Sequence, residues 1–392
     1  MKENKTKLPG RVLIVTSGYP PIIGGSSTVF INLLGNIDPS TFVILTKSWG
    51  YGLGMEKPKG YNVYRVPRLK YTFLRGQRYW EPLIKHFVVS RIVKMGMRAI
   101  REMKCTGILA AFPCLPYMEA GYLLAKKSGL PFSVYLHDTV LEANVGQLFY
   151  ENWARKIQDL IFPKAKPIFV MSEGIKQFYK TQYCMDTIVL SHCFNEPLPQ
   201  EYDSESTNKN NIINLFFGGN IYRTCLSALK NIFVAIKNEP DIHITISNPY
   251  TLHPGLSLPD NRLHHCFSSE RYDFLRKLMQ SDVTIVPLGF TKEVHHGEIS
   301  TIFPTKCIEY FWAGKPILVH CPKDYFLARF FEEHECGMVV SDPDPQTIRD
   351  AIRKLINDNE LRAKFIKGAR KALSLFDGKR VAEILSDNLF KR

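Results

Sequence analysis

The stretch that most constrains this chain lies between two apolar runs, residues 281–288 and 315–320, each with the length and composition of a buried β-strand. Between them come a polar loop and a helical pattern that Ser300 or Thr305 would cap and that Gly314 would end. Strand, loop, helix and strand in this order form the crossover unit of a parallel sheet. The sequence therefore predicts an α/β fold with parallel strands.

The same stretch is also a candidate binding site. Parallel sheets bind ligands beyond the carboxyl ends of their strands, where a helix N-terminus holds phosphate through free N–H groups and its dipole. Glu309, about one turn beyond Lys306, would then accept hydrogen bonds from a sugar hydroxyl. The alternative is an ordinary helix with a solvated glutamate and lysine, and the residue types alone do not separate the two interpretations.

Apolar strand patterns alternate with helical patterns along the whole chain, so the crossover unit is one of several. The predicted strands cover residues 11–16, 41–46, 61–66, 107–112, 132–136, 167–172, 187–190, 213–220, 242–247, 283–287, 315–320 and 338–341. Residues 196–211 interrupt the series with almost no apolar content and many Pro, Ser, Asn and acidic residues, which is typical of a linker.

The linker divides the chain into an N-terminal domain over residues 1–195 and a C-terminal domain over residues 212–375. Residues 376–392 form a last helix that can return to the N-terminal domain. Each half alternates strand and helix, so we expect two doubly wound, Rossmann-like domains that face each other across a cleft.

A glycine pair, Gly24 and Gly25, follows the first predicted strand and precedes a helix that Ser26 or Ser27 would cap. Glycine allows a backbone to approach a phosphate closely. The pair is not the G-x-G-x-x-G fingerprint of dinucleotide-binding proteins, and a structural turn is the alternative interpretation.

His137 and Asp138 follow another predicted strand at its carboxyl end, where catalytic groups gather in such sheets. The imidazole can act as an acid or base, or bind a substrate hydroxyl. A single histidine at a strand end also often has a structural role, and its context does not decide between these interpretations.

Composition indicates the expected cellular location of the protein and the state of its cysteines. There is no run of eighteen apolar residues, and the charged N-terminus is a poor signal peptide, so we expect a cytoplasmic protein without a transmembrane helix. The nine cysteines show no C-x-x-C pair and no metal-ligand spacing, which favours reduced, mostly buried thiols.

The formal charge of +14 is concentrated in residues 65–104, which hold eleven basic and two acidic side chains interleaved with aromatic ones. Rings at the headgroup boundary and cations on anionic lipid are what a peripheral membrane surface needs. We assign the contacts to Arg75, Arg78, Trp80 and Lys85. The alternatives are an amphipathic helix with a solvated basic face, or nucleic-acid binding, for which no known motif is present.

In this order the motifs resemble those of the retaining glycosyltransferases of family 4, which share the two-domain GT-B fold. The resemblance covers nearly the whole chain and rests on the segments RVLIVTSGYPPIIGGSSTVFINLL, SVYLHD, FVMSEGIKQFY, LFFGGNIYR, DVTIVPL and PTKCIEYFWAGKPILV. It implies an enzyme that transfers a sugar from a nucleoside-diphosphate sugar, its donor substrate, with no cofactor and no metal ion.

The resemblance also implies roles for residues in the N-terminal half and at the start of the C-terminal half. Gly24 and Gly25 match the glycine loop that closes over the donor diphosphate, and His137 matches the histidine beside the donor sugar. Arg223 matches the basic residue that neutralises the leaving diphosphate. Lys230 is a weaker match, because the usual spacing between arginine and lysine is not reproduced.

In the C-terminal half, Thr305 and Lys306 match positions where backbone N–H groups approach the phosphates and ribose, and Glu309 matches the acid that binds the ribose hydroxyls. One departure concerns a second glutamate that the family often carries, because its position is Thr301 here. Glu298 is the nearest acid and lies out of register. The identity and orientation of the donor sugar therefore stay open.

The expected reaction is front-face transfer with retention of configuration to a hydroxyl of a lipid-linked or polysaccharide acceptor, at the cytosolic face of the membrane. Stabilising the charge of the leaving diphosphate with fixed N–H groups and cations is the main catalytic task. The alternatives are a sugar-nucleotide epimerase on the same fold and a GT-B binding module that has lost catalysis, which Thr301 suggests.

Overall fold

The computed structural model describes residues 5–22, 24–48, 60–67, 77–199, 212–268 and 270–391. The chain divides into two compact units, one made of residues Met1–Cys193 with Gly378–Arg392 and the other of residues Phe194–Asp377. The predicted linker falls mostly on residues 200–211, which lie outside the described residues.

The first unit is built on parallel strands. Its strands are β1 Val12–Val15, β2 Phe42–Lys47, β3 Val63–Val66, β4 Gly107–Phe112, β5 Phe132–Leu136, β6 Ile168–Val170 and β7 Ile188–Val189. Its helices before the boundary are α1 Gly25–Gly35, α2 Gln77–Met103, α3 Leu115–Ser128, α4 Leu148–Ile161 and α5 Glu173–Tyr183. Within the described ranges the sheet order is β3-β2-β1-β4-β5-β6-β7, and each neighbouring pair is parallel.

The second unit repeats this plan. Its strands are β8 Ile213–Gly218, β9 Ile242–Ser247, β10 Leu263–Cys266, β11 Val283–Pro287, β12 Ile317–His320 and β13 Met338–Val340. Its helices are α6 Arg223–Ile236, α7 Arg271–Met279, α8 His296–Ile299, α9 Lys306–Ala313, α10 Phe326–Glu333, α11 Pro345–Asn357 and α12 Asn359–Leu373. In the described part the parallel sheet has the order β10-β9-β8-β11-β12-β13.

Both sheets are covered by helices on two faces, which explains why their strands are apolar without alternation. Every residue of β1, β4, β5 and β11 is buried. Each sheet order starts at a central strand, runs outward and then crosses to the other side, so each has a topological switch point. The predicted pair of doubly wound, Rossmann-like α/β domains is confirmed.

The end of the chain packs in the first unit. Helix α13, Gly378–Asn388, buries Val381 and Leu385 in the same apolar cluster as Leu33 and Leu34 of α1. Beyond it, the ring of Phe390 covers Gly107 so closely that a Cβ there would lie 2.2 Å from the ring. These contacts explain why residues after the second unit belong to the first.

We predict that Gly121→Ala destabilises the first unit by about 1–3 kcal/mol, the usual cost of overpacking a core. Gly121 lies where α3 crosses β4, and a Cβ there would stand 2.5 Å from the Cβ of Ala110. Urea unfolding followed by circular dichroism measures the loss. In an Ala110→Gly background the colliding methyl is gone, so the same substitution should cost less; an equal cost in both backgrounds would contradict the packing explanation.

Candidate functional site

The second unit brings two chain segments together at the switch point of its sheet. Strand β8 ends at Gly218, and Gly219, with a φ of 101°, turns the chain into α6 at Arg223. The adjacent strand β11 ends at Pro287 and leads through α8 to the start of α9 at Lys306. Two helix N-termini therefore follow two neighbouring strands at their carboxyl ends, which is where open α/β sheets bind ligands.

Hydrogen bonds fix these segments to each other. The buried N–H of Gly218 donates to the hydroxyl of Tyr310 at 2.9 Å, so the exit of β8 is held by a side chain of α9. The N–H of Gly289, just after β11, donates to the carbonyl of Thr224 in α6 at 2.6 Å. The relative positions of α6 and α9 at this edge are thus set by buried bonds.

Arg223, the first residue of α6, pairs with Glu298 across this edge. Its guanidinium donates to Glu298 Oε2 at 3.1 Å, and the glutamate side chain is only 12% exposed. Thr301, at the position where the resemblance implies a second glutamate, is buried and donates its hydroxyl to the carbonyl of Glu298 at 2.9 Å. The acid that lies out of register in the sequence is therefore the one that meets the predicted phosphate-binding arginine.

Lys306 lies on the other side of the glycine turn. Its ammonium stands 3.6 Å from the centre of the Phe217 ring. A Cβ on Gly219 would lie 3.8 Å from the lysine Nζ. Burial lowers the pKa of Lys306 to about 8. By contrast, the Cε atom of Lys230 packs against Gly255, within 3.0 Å of the place where a Cβ would stand.

Glu309 is held by an arginine that the sequence did not single out. Arg271, at the start of α7, donates from one Nη to Glu309 Oε1 and lies 3.5 Å from Glu196 through Nε. Its guanidinium carbon stands 5.4 Å from the centre of the Phe194 ring and 5.7 Å from that of Phe274. A cation between two rings and two carboxylates orients the Glu309 carboxylate at the first turn of α9.

Neither predicted serine or threonine cap is formed in these two regions. The N-cap of α9 is Thr305, with helical backbone and no hydrogen bond from its side chain. Helix α1 starts at Gly25 with Gly24 as its N-cap, again without a side-chain bond. The Ser26 hydroxyl is instead 3.1 Å from Nδ1 of His137, which explains why it does not cap the helix.

In the first unit, His137 lies directly after β5 in an aromatic surround. The ring centres of Tyr135 and Phe30 are 4.4 and 5.6 Å from that of the imidazole. Burial, and to a lesser degree His192, lowers the pKa of His137 to about 3, so the ring is neutral at physiological pH. Its Nε2 is buried without a partner among the described residues. A neutral imidazole with one ring nitrogen unpaired can hydrogen-bond a ligand.

Asp138 follows this histidine, and burial raises the pKa of its carboxyl to about 6. Nearby in the sequence, Glu142 is buried and accepts a hydrogen bond from Tyr183 at 2.5 Å. A carboxyl that ionises near neutral pH at the carboxyl end of a strand is suited to binding or moving a proton.

The predicted membrane residues are only partly described. Arg75 lies outside the described residues, and the described side chains of α2 begin after Arg78 and Trp80. Lys85 faces the protein: its Nζ lies 3.1 Å from Glu119 and 4.3 Å from the centre of the Trp153 ring. Across the described ranges, no helix is both long and apolar enough to cross a bilayer.

Sequence reasoning missed the contacts of Arg271, Tyr310 and Ser26. Each side chain meets a partner between 38 and 111 positions away in the chain, which the neighbouring sequence does not reveal. A buried-type tyrosine directly after Glu309 was the only available signal, because a buried hydroxyl needs a hydrogen-bond partner.

Comparisons with known proteins show which proteins this chain is similar to. Residues 258–372 match the family model of glycosyl transferases group 1. The structure of a sucrose-phosphate synthase from Thermosynechococcus elongatus superposes with a TM-score of 0.72 at 14% identity, covering 96% of this chain and 98% of that one. No curated protein sequence matches the chain.

Two further solved structures are similar over their whole length. Anabaena HepE in complex with UDP-glucose gives a TM-score of 0.69 at 13% identity, covering 97% of this chain and 99% of that one. WaaG, a glycosyltransferase involved in lipopolysaccharide biosynthesis, gives 0.58 at 13% identity, covering 96% and 98%. The predicted resemblance to group 1 glycosyltransferases of the GT-B fold is confirmed, and the assignment to family 4 stays a prediction.

We predict that Asp138→Asn raises the unfolding midpoint at pH 7.5 and leaves it nearly unchanged at pH 4. The folded-state pKa of about 6 lies above the ordinary value of 3.8, so ionisation in the folded protein costs stability as the pH rises through this window. Asparagine cannot ionise and escapes this cost. Thermal melts at both pH values measure the effect, with the exposed Asp387→Asn as control; equal shifts at both pH values would contradict it.

Proposed function

We propose that this chain is a retaining, metal-independent glycosyltransferase. Residues 258–372 in its second unit match the group 1 glycosyltransferases, and solved structures of the GT-B fold are similar to it over nearly its whole length. It moves a sugar from a nucleoside-diphosphate sugar to a hydroxyl of a lipid-linked or polysaccharide acceptor. The observation that carries this proposal is the convergence of Arg223, Lys306 and Glu309 at the switch point of the second sheet.

These three residues match two parts of a nucleoside diphosphate, the phosphates and the ribose. The guanidinium of Arg223 and the N-terminus of α6 attract the phosphates, as does the start of α9 at Lys306. The carboxylate of Glu309, one turn further along α9, accepts hydrogen bonds from the ribose hydroxyls. Arg271 occupies Oε1 of this carboxylate, so its charge is partly balanced before the ligand arrives.

In the reaction, the bond between the anomeric carbon and the diphosphate oxygen breaks, and its electron pair stays on that oxygen. The acceptor hydroxyl oxygen bonds to the anomeric carbon on the same face, and its proton passes to the leaving phosphate. The charge that develops is therefore on the diphosphate. Fixed cations and N–H groups are most effective there, and removing one such donor costs about 100- to 1000-fold in rate.

We assign further roles to His137 in the first unit and to Gly24 and Gly25 at the start of α1. Neutral His137, with Nε2 unpaired among the described residues, is suited to a hydrogen bond with a sugar hydroxyl rather than to a charge interaction. We assign the glycines to the loop that approaches the diphosphate. The structures of HepE with UDP and with UDP-glucose support a nucleotide-sugar donor for proteins of this fold.

We predict that Glu309→Gln weakens binding of the cognate nucleoside diphosphate about tenfold or more, the value of hydrogen bonds to a charged group. Melting curves with UDP, GDP, ADP and UDP-glucose identify the base, because a ligand at 100 times its Kd stabilises by about 2.7 kcal/mol. Calorimetry then gives the affinities. The exposed Glu332→Gln, on α10, is the matched control and should bind like wild type.

A 2′,3′-dideoxynucleoside diphosphate tests the role of Glu309 directly. If the carboxylate binds the ribose hydroxyls, wild type and Glu309→Gln should bind this analogue equally, whereas a persistent difference would place Glu309 elsewhere. Transfer of labelled sugar, and the anomeric configuration of the product by proton NMR, distinguish a retaining transferase from an epimerase. A protein that binds the donor and neither transfers nor hydrolyses it would be a binding module.

We further propose that the exposed face of α2 contacts the cytosolic side of an anionic membrane. Leu83 and Phe87 are 62% and 53% exposed on this helix, and exposed Lys94, Arg98 and Arg101 continue the same face. Apolar side chains next to a basic stripe suit insertion at the headgroup boundary. Since Lys85 packs inward, these five residues replace it as the proposed contacts.

We predict that Leu83→Asp with Phe87→Asp reduces co-sedimentation with phosphatidylserine-containing vesicles several-fold, because two apolar anchors become anions that the lipid charge repels. Wild type should bind neutral phosphatidylcholine vesicles much less. Val234→Asp, at a position in the second unit that is 57% exposed, is the matched control. Unchanged pelleting of the double variant would refute the α2 surface and leave the transferase proposal intact.

A further inference from the structure

A diphosphate carries more charge than one arginine neutralises, and the expected second cation has not been placed. Lys230, the sequence candidate, lies two turns into α6 and packs against Gly255. Arg223 is already engaged by Glu298. A second cation for the diphosphate would have to lie at the glycine turn after β8, elsewhere in the second unit.

Lys306 places a cation at this glycine turn, as its contacts show. Its ammonium lies on the ring of Phe217, the residue before Gly218, and faces Gly219 across the turn. Because Gly219 has no side chain, nothing on that residue covers the ammonium. The lysine therefore lies where a backbone turn and two helix N-termini already favour an anion.

The ammonium also makes no ion pair among the described residues; the charge of Glu309 attracts it, but burial has the larger effect on its pKa. In the part of the chain that the structure describes, no carboxylate lies within 4.0 Å of it, while Arg223 and Arg271 both have one. Two thiols, of Cys225 on α6 and Cys307 on α9, lie near it. Burial raises the pKa of both thiols above the usual 9, so they stay neutral there. A desolvated cation without an ion-pair partner is costly unless an anion joins it.

We propose that the Lys306 ammonium is the second cation that binds the donor diphosphate, and that this chain supplies it from α9 in place of a lysine on α6. The inference rests on the proposed function and specifies the phosphate-binding group of the same site. The lysine thereby contributes its side chain as well as the backbone N–H group expected from the family resemblance.

Donor binding is then linked to protonation. In the free protein, burial holds the pKa of Lys306 near 8, and a bound diphosphate raises it by attraction. Well below pH 8 the lysine is already charged, so binding adds no proton to it. Above pH 8 binding must also protonate the lysine, so affinity falls as the pH rises.

The test is calorimetric titration of whichever of UDP, GDP or ADP binds wild type, at pH 7.5 and pH 9. Both values lie above the second phosphate pKa of about 6, so the nucleotide phosphates stay ionised. With a lysine pKa near 8, the affinity advantage of wild type over Lys306→Met should shrink about eightfold between the two pH values. Taking this ratio cancels ionisation of the base, and the corresponding nucleoside without phosphate should show no change.

Two variants separate charge from structure. Lys306→Arg keeps the cation without its titration, so it should bind the diphosphate at both pH values with a ratio to Lys306→Met that stays constant. Lys230→Met should retain the pH dependence of wild type. If Lys306→Met shows the same pH dependence as wild type, or if Lys230→Met loses it, the assignment is overturned. If none of the three diphosphates binds wild type, the proposed function itself fails.

Discussion

The buried hydrogen bond between the Gly218 N–H and the Tyr310 hydroxyl is the contact on which the rest of the candidate site depends. A buried N–H at the end of β8 needs a partner, and the strand ladder ends there. Because Tyr310 supplies that partner from α9, the glycine turn and this helix are fixed together. Lys306 and Glu309 lie on the same helix, so helical geometry alone then determines where they stand relative to the turn.

Charge balance explains how such a site exists before a donor binds. Arg223 and Arg271 each meet a carboxylate, and rings of Phe194 and Phe274 flank the second arginine. Pairing removes much of the cost of holding the two carboxylates, whose side chains are 12% and 16% exposed, away from water, and it fixes their orientation. Lys306 instead rests on an aromatic face, which is a weaker stabiliser of a cation than a carboxylate. Of these three cations, Lys306 is therefore the one whose charge is least balanced by the protein.

The sheets were largely predictable from the sequence because their strands are apolar on both faces. The runs at 107–112, 132–136, 242–247 and 283–287 have the observed bounds. Strand β10, Leu263–Cys266, was missed because LHHC carries two exposed histidines and no apolar run. The motif resemblance assigned Arg223, Lys306 and Glu309 to one candidate site. It did not reveal the role of Arg271, because its contacts with Glu196 and Glu309 join residues that are distant in the sequence.

The caps and the departure at Thr301 show a second limit of local reasoning. Serine is a residue type that often caps helices, and Ser26 stands at the start of α1. Its hydroxyl instead meets His137, 111 positions away, because a tertiary partner competes with the helix for the same oxygen. Thr301 donates to the carbonyls of Gly297 and Glu298, so its hydroxyl serves the α8 turn. That turn brings Glu298 to Arg223.

An arginine that meets a carboxylate in the free protein presents a different binding problem from an isolated one. A diphosphate arriving at Arg223 must displace Glu298 or share the guanidinium with it, so part of the new attraction replaces an existing one. Lys306 has no such competitor within 4.0 Å in the described residues, so its attraction for the phosphates is not offset in this way. Thr301, at the position where the family resemblance implies a glutamate, thus acts through the turn that it stabilises, and in the proposed site the larger net gain on diphosphate binding falls to the lysine of α9.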